Sequence, residues 1–377
     1  MKKILKNAGV QSLIASLICI ILGMLIGYIV LLFINPAGAS EAIIDIIKNF
    51  FTYSKANLQL KNFANTLAKT APLLMCALSV LFAYKVGLFN IGAAGQYVGG
   101  TCACLYAALA WGWGWFPCML FAIVAGALMG VIVGVLKAYC NVNEVISGIM
   151  MNWIFLYITN MVLTTVKEQA SPYTLHLKSE AAQAILPQLG LGSLFAGNSY
   201  IGLAVPLAII LAIVIQVVLS KTKFGYELKA TGNNKNAAKY AGMAEKRNII
   251  VTLAIAGALA GLAGSLLYQT DYEQWSCTTS SVPGMGFNGI AAAFLGGLNP
   301  IGAIFSSYFI QHITAGGAYV DKSMYCSQIS DLISSIIIYL CGFVGFIKLF
   351  MGNRIAASEE KAAKKLAAAN TKEGGDQ

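Results

Sequence analysis

Charged side chains are scarce in this sequence. Asp, Glu, Lys and Arg make up 11% of its 377 residues, and hydrophobic residues make up 58%, whereas soluble proteins average about 25% charged residues. No charge occurs within four long intervals, 7–40, 86–136, 181–220 and 274–320. Intervals of that length hold one or two membrane crossings each, because about 20 apolar residues span the hydrocarbon core. The composition therefore excludes an ordinary soluble protein.

Catalytic and metal-binding motifs are also missing. The sequence contains no Gly-x-x-x-x-Gly-Lys-Ser/Thr loop to hold nucleotide phosphates. Its two histidines and nine cysteines show no metal-ligand spacing, and most cysteines stand alone inside apolar stretches, as small buried side chains do. We therefore expect no catalysis, no metal and no cofactor in this chain.

Ten apolar intervals predict an all-α polytopic membrane protein with about ten transmembrane helices. They lie at about 12–34, 66–84, 92–110, 116–136, 145–166, 200–220, 248–269, 285–298, 300–318 and 329–349. The interval 285–298 is too short to span alone and holds four glycines, so a half-helix or re-entrant segment fits as well as a full crossing. We expect a transmembrane domain over 1–350 and a cytoplasmic tail over 351–377.

The basic residues predict the orientation of the chain. With both termini in the cytoplasm, 18 of its 25 basic residues lie on the cytoplasmic side, as the positive-inside rule requires. They lie in loops between apolar intervals rather than on one soluble face, which argues against nucleic-acid binding. The longer segments 36–65 and 167–199 are then external, where each can follow the membrane surface or meet an external partner.

The cytoplasmic loop 221–247 is the longest polar interval between crossings. Its part 232–242 predicts one short helix, with Asn233 or Asn234 as the N-cap and Gly242 at the end. Its small side chains Ala237, Ala238 and Ala241, with Tyr240 as an aromatic anchor, suit docking into a groove of another protein. A solvated connector held near anionic lipid by its lysines fits the spacing equally well.

Four stretches carry a resemblance to a known family. They are 224–242, which begins Phe-Gly-Tyr-Glu-Leu-Lys-Ala-Thr-Gly, then 87–100 (Gly-Leu-Phe-Asn-Ile-Gly-Ala-Ala-Gly-Gln-Tyr-Val-Gly-Gly), 143–153 (Asn-Glu-Val-Ile-Ser-Gly-Ile-Met-Met-Asn-Trp) and 284–297 (Gly-Met-Gly-Phe-Asn-Gly-Ile-Ala-Ala-Ala-Phe-Leu-Gly-Gly). In their residues and in their order along the chain they resemble ABC importer permeases for ribose-type sugars, branched-chain amino acids and nucleosides. The stretches 87–100 and 143–153 are most similar to the nucleoside and simple-sugar branch.

The resemblance implies a transporter subunit with several partners. In that family the loop helix inserts into an ATP-binding cassette subunit, which holds ATP and Mg²⁺ and carries out hydrolysis. The implied coupling residues are Gly225, Glu227, Asn233, Asn234, Ala237, Ala238, Tyr240 and Gly242. Further partners implied are a second permease subunit of a different sequence, an external substrate-binding lipoprotein and membrane lipid, all at a bacterial cell (inner or plasma) membrane. The implied cargo is a nucleoside, with a simple sugar as the alternative.

Uncharged polar residues within the crossings indicate a candidate cargo pathway. They are the amides Asn90, Gln96, Asn152 and Asn288, three of which stand beside the aromatic residues Phe89, Trp153 and Phe287. Amides can hydrogen-bond ribose hydroxyls or a nucleobase edge, and aromatic rings can stack on a base or sugar. The alternative is structural, since buried amides often join helices and aromatic rings often only pack.

Two other classes of membrane protein are alternatives to the importer. An ion-coupled secondary transporter needs carboxylates deep in the membrane, but Glu144 and Asp331 lie at the ends of predicted crossings. A membrane-embedded assembly factor with no pathway is the other alternative, and the resemblance of the loop 221–247 counts against both. For His312, in the ninth predicted crossing, we expect a hydrogen-bonded interior position.

Overall fold

The computed structural model describes residues 8–326 and 328–354, and these residues are almost entirely helical. Its helices are α1 (Ala8–Ile34), α2 (Ala39–Lys48), α3 (Ala56–Lys85), α4 (Ala93–Leu109), α5 (Trp115–Cys140), α6 (Glu144–Leu163), α7 (Ala204–Lys221), α8 (Lys223–Asn233), α9 (Lys235–Tyr240), α10 (Glu245–Tyr268), α11 (Gly284–Leu295), α12 (Pro300–Gly316), α13 (Ile329–Cys341) and α14 (Val344–Arg354). Single-turn helices add Leu177–Glu180 and Leu191–Leu194, and 3₁₀ turns add Asn49–Thr52, Thr164–Val166 and Ala182–Ala184. Within the described residues, β-pairing is limited to two isolated bridges. Most of the predicted tail 351–377 lies outside the described residues.

Each of the ten predicted crossings coincides with a helix, but the helices differ in length. Six in the described part are long and apolar enough to span a membrane: α1, α3, α5, α6, α7 and α10. The pair α13 and α14, bent by 47°, makes a seventh if it counts as one span. Helices α4 and α12 have 17 residues and α11 has 12, short of the about 20 that cross the hydrocarbon core. The predicted shortness of 285–298 is confirmed in α11.

Helix α3 begins ten residues before the predicted crossing. With 30 residues it is about 45 Å long, enough to reach through both headgroup regions. The predicted external segment 36–65 is therefore shorter than expected. Its remainder forms α2, which packs against α12 with Ile46 beside Gly316. His312 is hydrogen-bonded as expected, since its ring lies 2.9 Å from the carbonyl oxygen of Ile47 and its own carbonyl accepts from Asn49, but it is half-buried rather than interior.

The centre of the bundle is formed by α3, α4 and α10, and α5 packs against α10 with its other side exposed. Every residue of α3 from Ala71 to Ala83 is buried. Helices α5 and α10 meet backbone to backbone, since a Cβ at Gly130 would overlap the carbonyl oxygen of Leu253. Glycines spaced by three or four residues, such as Gly126, Gly130 and Gly134 of α5, allow this close approach.

The first helix lies at the periphery. Gly23 and Gly27 of α1 pack against Ile337 and Ile333 of α13. The opposite side of α1 is an exposed apolar stripe formed by Leu17, Ile21, Leu25, Ile29 and Phe33. Large apolar side chains on the outside of a helix bundle suit a lipid environment. This agrees with the predicted crossing at 12–34.

Candidate functional site

The polar loop 221–247 folds into two helices, α8 and α9, where one short helix was predicted. Helix α8 starts early because Thr222 caps it, its Oγ1 accepting from the backbone N–H of Gly225 at 3.0 Å. Helix α9 is capped by Asn234, whose Oδ1 accepts from the N–H of Ala237 at 3.0 Å. Of the two predicted caps, Asn234 is confirmed, and Asn233 is instead the last residue of α8.

Gly242 ends α9 as predicted. Its φ is +79°, a left-handed conformation that glycine adopts without steric cost. Its N–H donates to the carbonyl of Lys239 at 3.0 Å, and that of Met243 donates to the carbonyl of Ala238 at 3.0 Å. These two bonds form a Schellman C-cap. The chain is thereby turned sharply towards the start of α10.

The predicted alanine face of α9 is divided between the bundle and the outside. Ala238 is 3% exposed and belongs to the interior, because α9 packs against α10. Ala237 and Ala241 are exposed, and Tyr240 is 94% exposed. Ala238 therefore cannot be part of a contact surface in this conformation. A partner would meet Tyr240 with Ala237 and Ala241 around it.

The segment α8–α9 is held firmly by the membrane helices. Gly225 is buried against the end of α7, where a Cβ would overlap the carbonyl oxygen of Val218. Thr231 accepts from the Nδ2 of Asn248 in α10 at 2.9 Å. Gly232 lies on the backbone that follows α3. The segment thus contacts α7, α10 and the backbone after α3. Glu227, another predicted coupling residue, lies within α8 and is half-buried.

Three of the predicted pathway amides come together inside the bundle. Asn90 donates from Nδ2 to the Oγ of Ser79 at 2.9 Å and to the Oε1 of Gln96 at 2.8 Å. Asn152 in α6 accepts from the N–H of Gly95 at 2.7 Å and donates to the carbonyl of Ile91 at 3.1 Å. All three amides are buried. They join α3, α4 and α6, which is the structural role that the sequence left open.

The predicted aromatic residues lie nearer the surface than the amides. Trp153 is 43% exposed and stacks on Tyr157, with ring centroids 6.4 Å apart and planes at 25°. Phe287 is also exposed, whereas Phe89 and Asn288 are half-buried. The seven predicted pathway residues therefore divide into a buried amide cluster and a more exposed group with three aromatic rings.

A polar cavity at the opposite end of the bundle was not predicted from the sequence. It has a volume of about 460 Å³ and is lined by Asn62, Asn65, Thr66, Lys69, Tyr272, Gln311, Thr314, Ala315, Ala318, Tyr319, Lys322, Gln328 and Asp331. The sequence pattern that could have indicated it is the polar face of α3, where Asn65, Thr66 and Lys69 follow Asn62 by three, four and seven positions. Burial raises the pKa of Tyr319 to about 12 and also raises that of Tyr272, so both hydroxyls are neutral at physiological pH.

Electrostatic contacts elsewhere hold helix ends together. Lys137 at the end of α5 pairs with Glu144 at the start of α6, with Nζ and Oε2 2.7 Å apart. This pair accounts for Glu144 without a proton-relay role. In the part of the chain that the structure describes, no group of three or more His, Cys, Asp or Glu residues is placed to hold a metal ion.

Comparison with known proteins gives a consistent result. The family described as "Branched-chain amino acid transport system / permease component" matches residues 62–342. The nucleoside ABC transporter permease protein NupB of Lactococcus lactis subsp. cremoris is 30% identical over 95% of this chain and 98% of its own length. The guanosine ABC transporter permease protein NupP of Bacillus subtilis is 30% identical over 91% of this chain and 96% of its own. The glucose ABC transporter permease protein TsgB13 of Haloferax volcanii is 29% identical over 68% and 69%. No solved structure matches this chain.

Proposed function

This chain belongs to the family of permease components of branched-chain amino acid transport systems, and from that premise we propose that it is the membrane-spanning subunit of an ATP-driven nucleoside importer. The nucleoside is favoured over a simple sugar by the extent of the similarity. The two nucleoside and guanosine relatives are similar over more than nine-tenths of this chain, whereas the glucose relative is similar over 68%.

The structural observation that supports the importer is the segment α8–α9. It presents Tyr240 to the outside, yet Gly225, Thr231 and Gly232 fix it to three membrane-spanning elements. A rigid segment in contact with several helices can transmit a displacement to all of them together. We propose that an ATP-binding cassette subunit docks on Tyr240, hydrolyses ATP with Mg²⁺, and moves these helices through α8–α9.

In this proposal an external binding lipoprotein delivers the cargo, which crosses by alternating access between this chain and a second permease subunit. In this proposal the exposed rings of Trp153 and Phe287 face the pathway, together with Phe89 and Asn288. The buried amides Asn90, Gln96 and Asn152 hold α3, α4 and α6 in position around it. The proposed orientation places α8–α9 and both termini in the cytoplasm, because that arrangement puts 18 of 25 basic residues inside.

The test is uptake of radiolabelled nucleosides by the native cells with and without this gene. Adenosine, uridine and guanosine are compared with ribose and leucine at equal concentrations. We expect nucleoside uptake to fall to background in the deletion strain and to return when the gene is supplied on a plasmid. Loss of ribose uptake alone would assign the chain to sugars, and unchanged uptake of every compound would contradict the importer.

A further inference from the structure

The polar cavity of about 460 Å³ lies far from the segment α8–α9. It is enclosed by the first half of α3, the end of α12, the start of α13 and the connection that follows α10. In the proposed orientation all four of these parts are at the external end of the bundle. A cavity of this size is in the range that holds small-molecule ligands.

One wall of the cavity is a polar stripe on α3. Asn62, Asn65, Thr66 and Lys69 occur at intervals of three and four residues, which places them on one face of the helix. Beyond them α3 continues as a buried apolar helix from Ala71 onwards. Polar groups inside a bundle are costly unless they are hydrogen-bonded or meet water or a ligand. The protein meets part of this cost, because the Oδ1 of Asn65 accepts from Asn198 at 2.7 Å and Lys69 pairs with Glu273, and the stripe as a whole lines the cavity.

The opposite wall contains an amide without a protein partner. Gln311 of α12 is 6% exposed, lines the cavity, and makes no hydrogen bond to any residue that the structure describes. One turn further, Thr314 is paired with Ser334, with their hydroxyl oxygens 3.1 Å apart. An amide offers two N–H donors and a carbonyl acceptor, so Gln311 is left with its full bonding capacity.

The charges around the cavity balance. Lys69 pairs with Glu273 at 2.6 Å between Nζ and Oε1, and its Nζ lies 4.9 Å from the centroid of the Tyr272 ring. Asp331 is exposed at the cavity and interacts electrostatically with Lys69. Lys322 adds a second cation, so that two cations face two carboxylates. This balance suits an uncharged ligand better than an anion.

We propose that this cavity is an external subsite for a nucleoside, in which Asp331 and Gln311 hydrogen-bond the ligand. The identity of the ligand rests on the proposed function. A carboxylate and a free amide match the several hydroxyl and N–H groups of a nucleoside, and the Tyr319 ring adds an aromatic surface. A zwitterionic amino acid would depend on Lys322 for its carboxylate, because the ammonium of Lys69 is already paired with Glu273, and leucine in the experiment below tests that alternative.

The experiment measures protection of a cysteine in the cavity. The complete transporter is assayed in right-side-out membrane vesicles from a strain without the binding protein, with Cys326→Ser removing an exposed cysteine. Ala318→Cys places a thiol in the cavity, and Ala170→Cys places one on an exposed external position outside it. Each is labelled with a maleimide that cannot cross membranes, with or without millimolar adenosine, ribose or leucine.

We expect adenosine to slow labelling at Ala318→Cys several-fold and to leave Ala170→Cys unaffected. Adding Asp331→Asn should raise the half-protecting adenosine concentration about tenfold, because a hydrogen bond to a charged group is lost. The matched change Glu180→Gln, at an exposed external carboxylate, should have no effect. An unchanged labelling rate without adenosine shows that Asp331→Asn keeps the cavity intact; if that rate changes, Gln311→Met replaces it in the same assay.

Absence of protection by adenosine, or equal protection by leucine, would overturn the subsite. If nucleoside uptake nevertheless depends on this gene, the proposed function stands and only the subsite fails. If uptake does not depend on the gene, the proposed function fails independently of the labelling result. Protection by ribose with none by adenosine would also overturn the assignment to nucleosides.

Discussion

Buried amides in this bundle serve as links between helices. Asn90 donates to the side chains of Ser79 and Gln96, and Asn152 bonds to the backbone of Ile91 and Gly95, whereas the Nε2 of Gln96 has no partner among the described residues. Their polarity is visible in the sequence, but their partners are not, since Asn152 bonds to residues 57 and 61 positions away. For these residues the sequence could predict importance and burial, and only the structure shows which helices they join.

Gly242 gives a prediction at the scale of one residue. Valine at φ +79° is strained, at a cost of about 1–2 kcal/mol, and relieving that strain would displace the C-cap of α9. We expect Gly242→Val to reduce nucleoside uptake strongly while its abundance in the membrane stays unchanged. Uptake and immunoblots of washed membranes measure the two quantities.

The matched control for this substitution is Gly352→Val. Gly352 is helical and no other group lies within 4 Å of a Cβ placed there. This control should keep normal uptake. Normal uptake by Gly242→Val as well would remove the C-cap of α9 from the coupling mechanism.

At the scale of elements, hydrophobic patterning located helices well and their ends less well. All ten predicted crossings contain a helix, because long apolar runs in lipid have to satisfy their backbone groups internally. The start of α3 was missed because Asn57, Gln59 and Lys61 are polar, yet they continue the helix beyond the apolar region. Hydropathy indicates whether a segment lies in lipid or in water. The length of a helix depends in addition on its capping residues and its contacts.

The loop 221–247 shows the same limit at the candidate site. The N-cap Asn234 and the C-cap Gly242 were predictable, because capping depends on residues close in sequence. The burial of Ala238 was not, because it depends on α10 packing against α9. The cavity beside α12 was missed for a related reason, as it is assembled from four separate parts of the chain.

The contact between α5 and α10 gives a prediction about stability. A methyl group at Gly130 would overlap the carbonyl of Leu253, so the helices would have to separate. We expect Gly130→Ala to destabilise the bundle by about 1–3 kcal/mol, the usual cost of overpacking. Thermal unfolding of the purified protein in detergent should show a lower midpoint. Gly345→Ala, at a position with open space around it, should leave the midpoint unchanged, and equal midpoints for both variants would contradict the close packing.

At the scale of the whole molecule, the apolar surface and the two polar ends have separate roles. The exposed apolar stripe of α1 suits contact with lipid. One end carries α8–α9 with its lysines, and the other carries the cavity beside Lys69. In the proposed importer, a displacement caused by the ATPase at one end would reach the cargo at the other end through α3. The first half of α3 lines the cavity, and the backbone that follows its last residue contacts Gly232 of α8.

That arrangement predicts which surface binds the ATPase. Tyr240 is the most exposed aromatic side chain of α8–α9, and loss of an aromatic anchor at an interface commonly costs about 2 kcal/mol or more, which is about 30-fold in affinity. We expect Tyr240→Ala to lose the ATPase chain during purification from detergent-solubilised membranes. The measurement is the amount of ATPase that co-purifies with an affinity-tagged copy of this chain.

Tyr173→Ala is the matched control, because Tyr173 is also exposed but belongs to the proposed external segment 167–199. It should retain the ATPase at the level of the unaltered chain. If the Tyr240→Ala variant retains the ATPase equally well, the ATPase binds elsewhere and α8–α9 only connects α7 to α10. If the unaltered chain never carries an ATPase, the importer itself is contradicted, because this chain has no phosphate-binding loop with which to use ATP on its own.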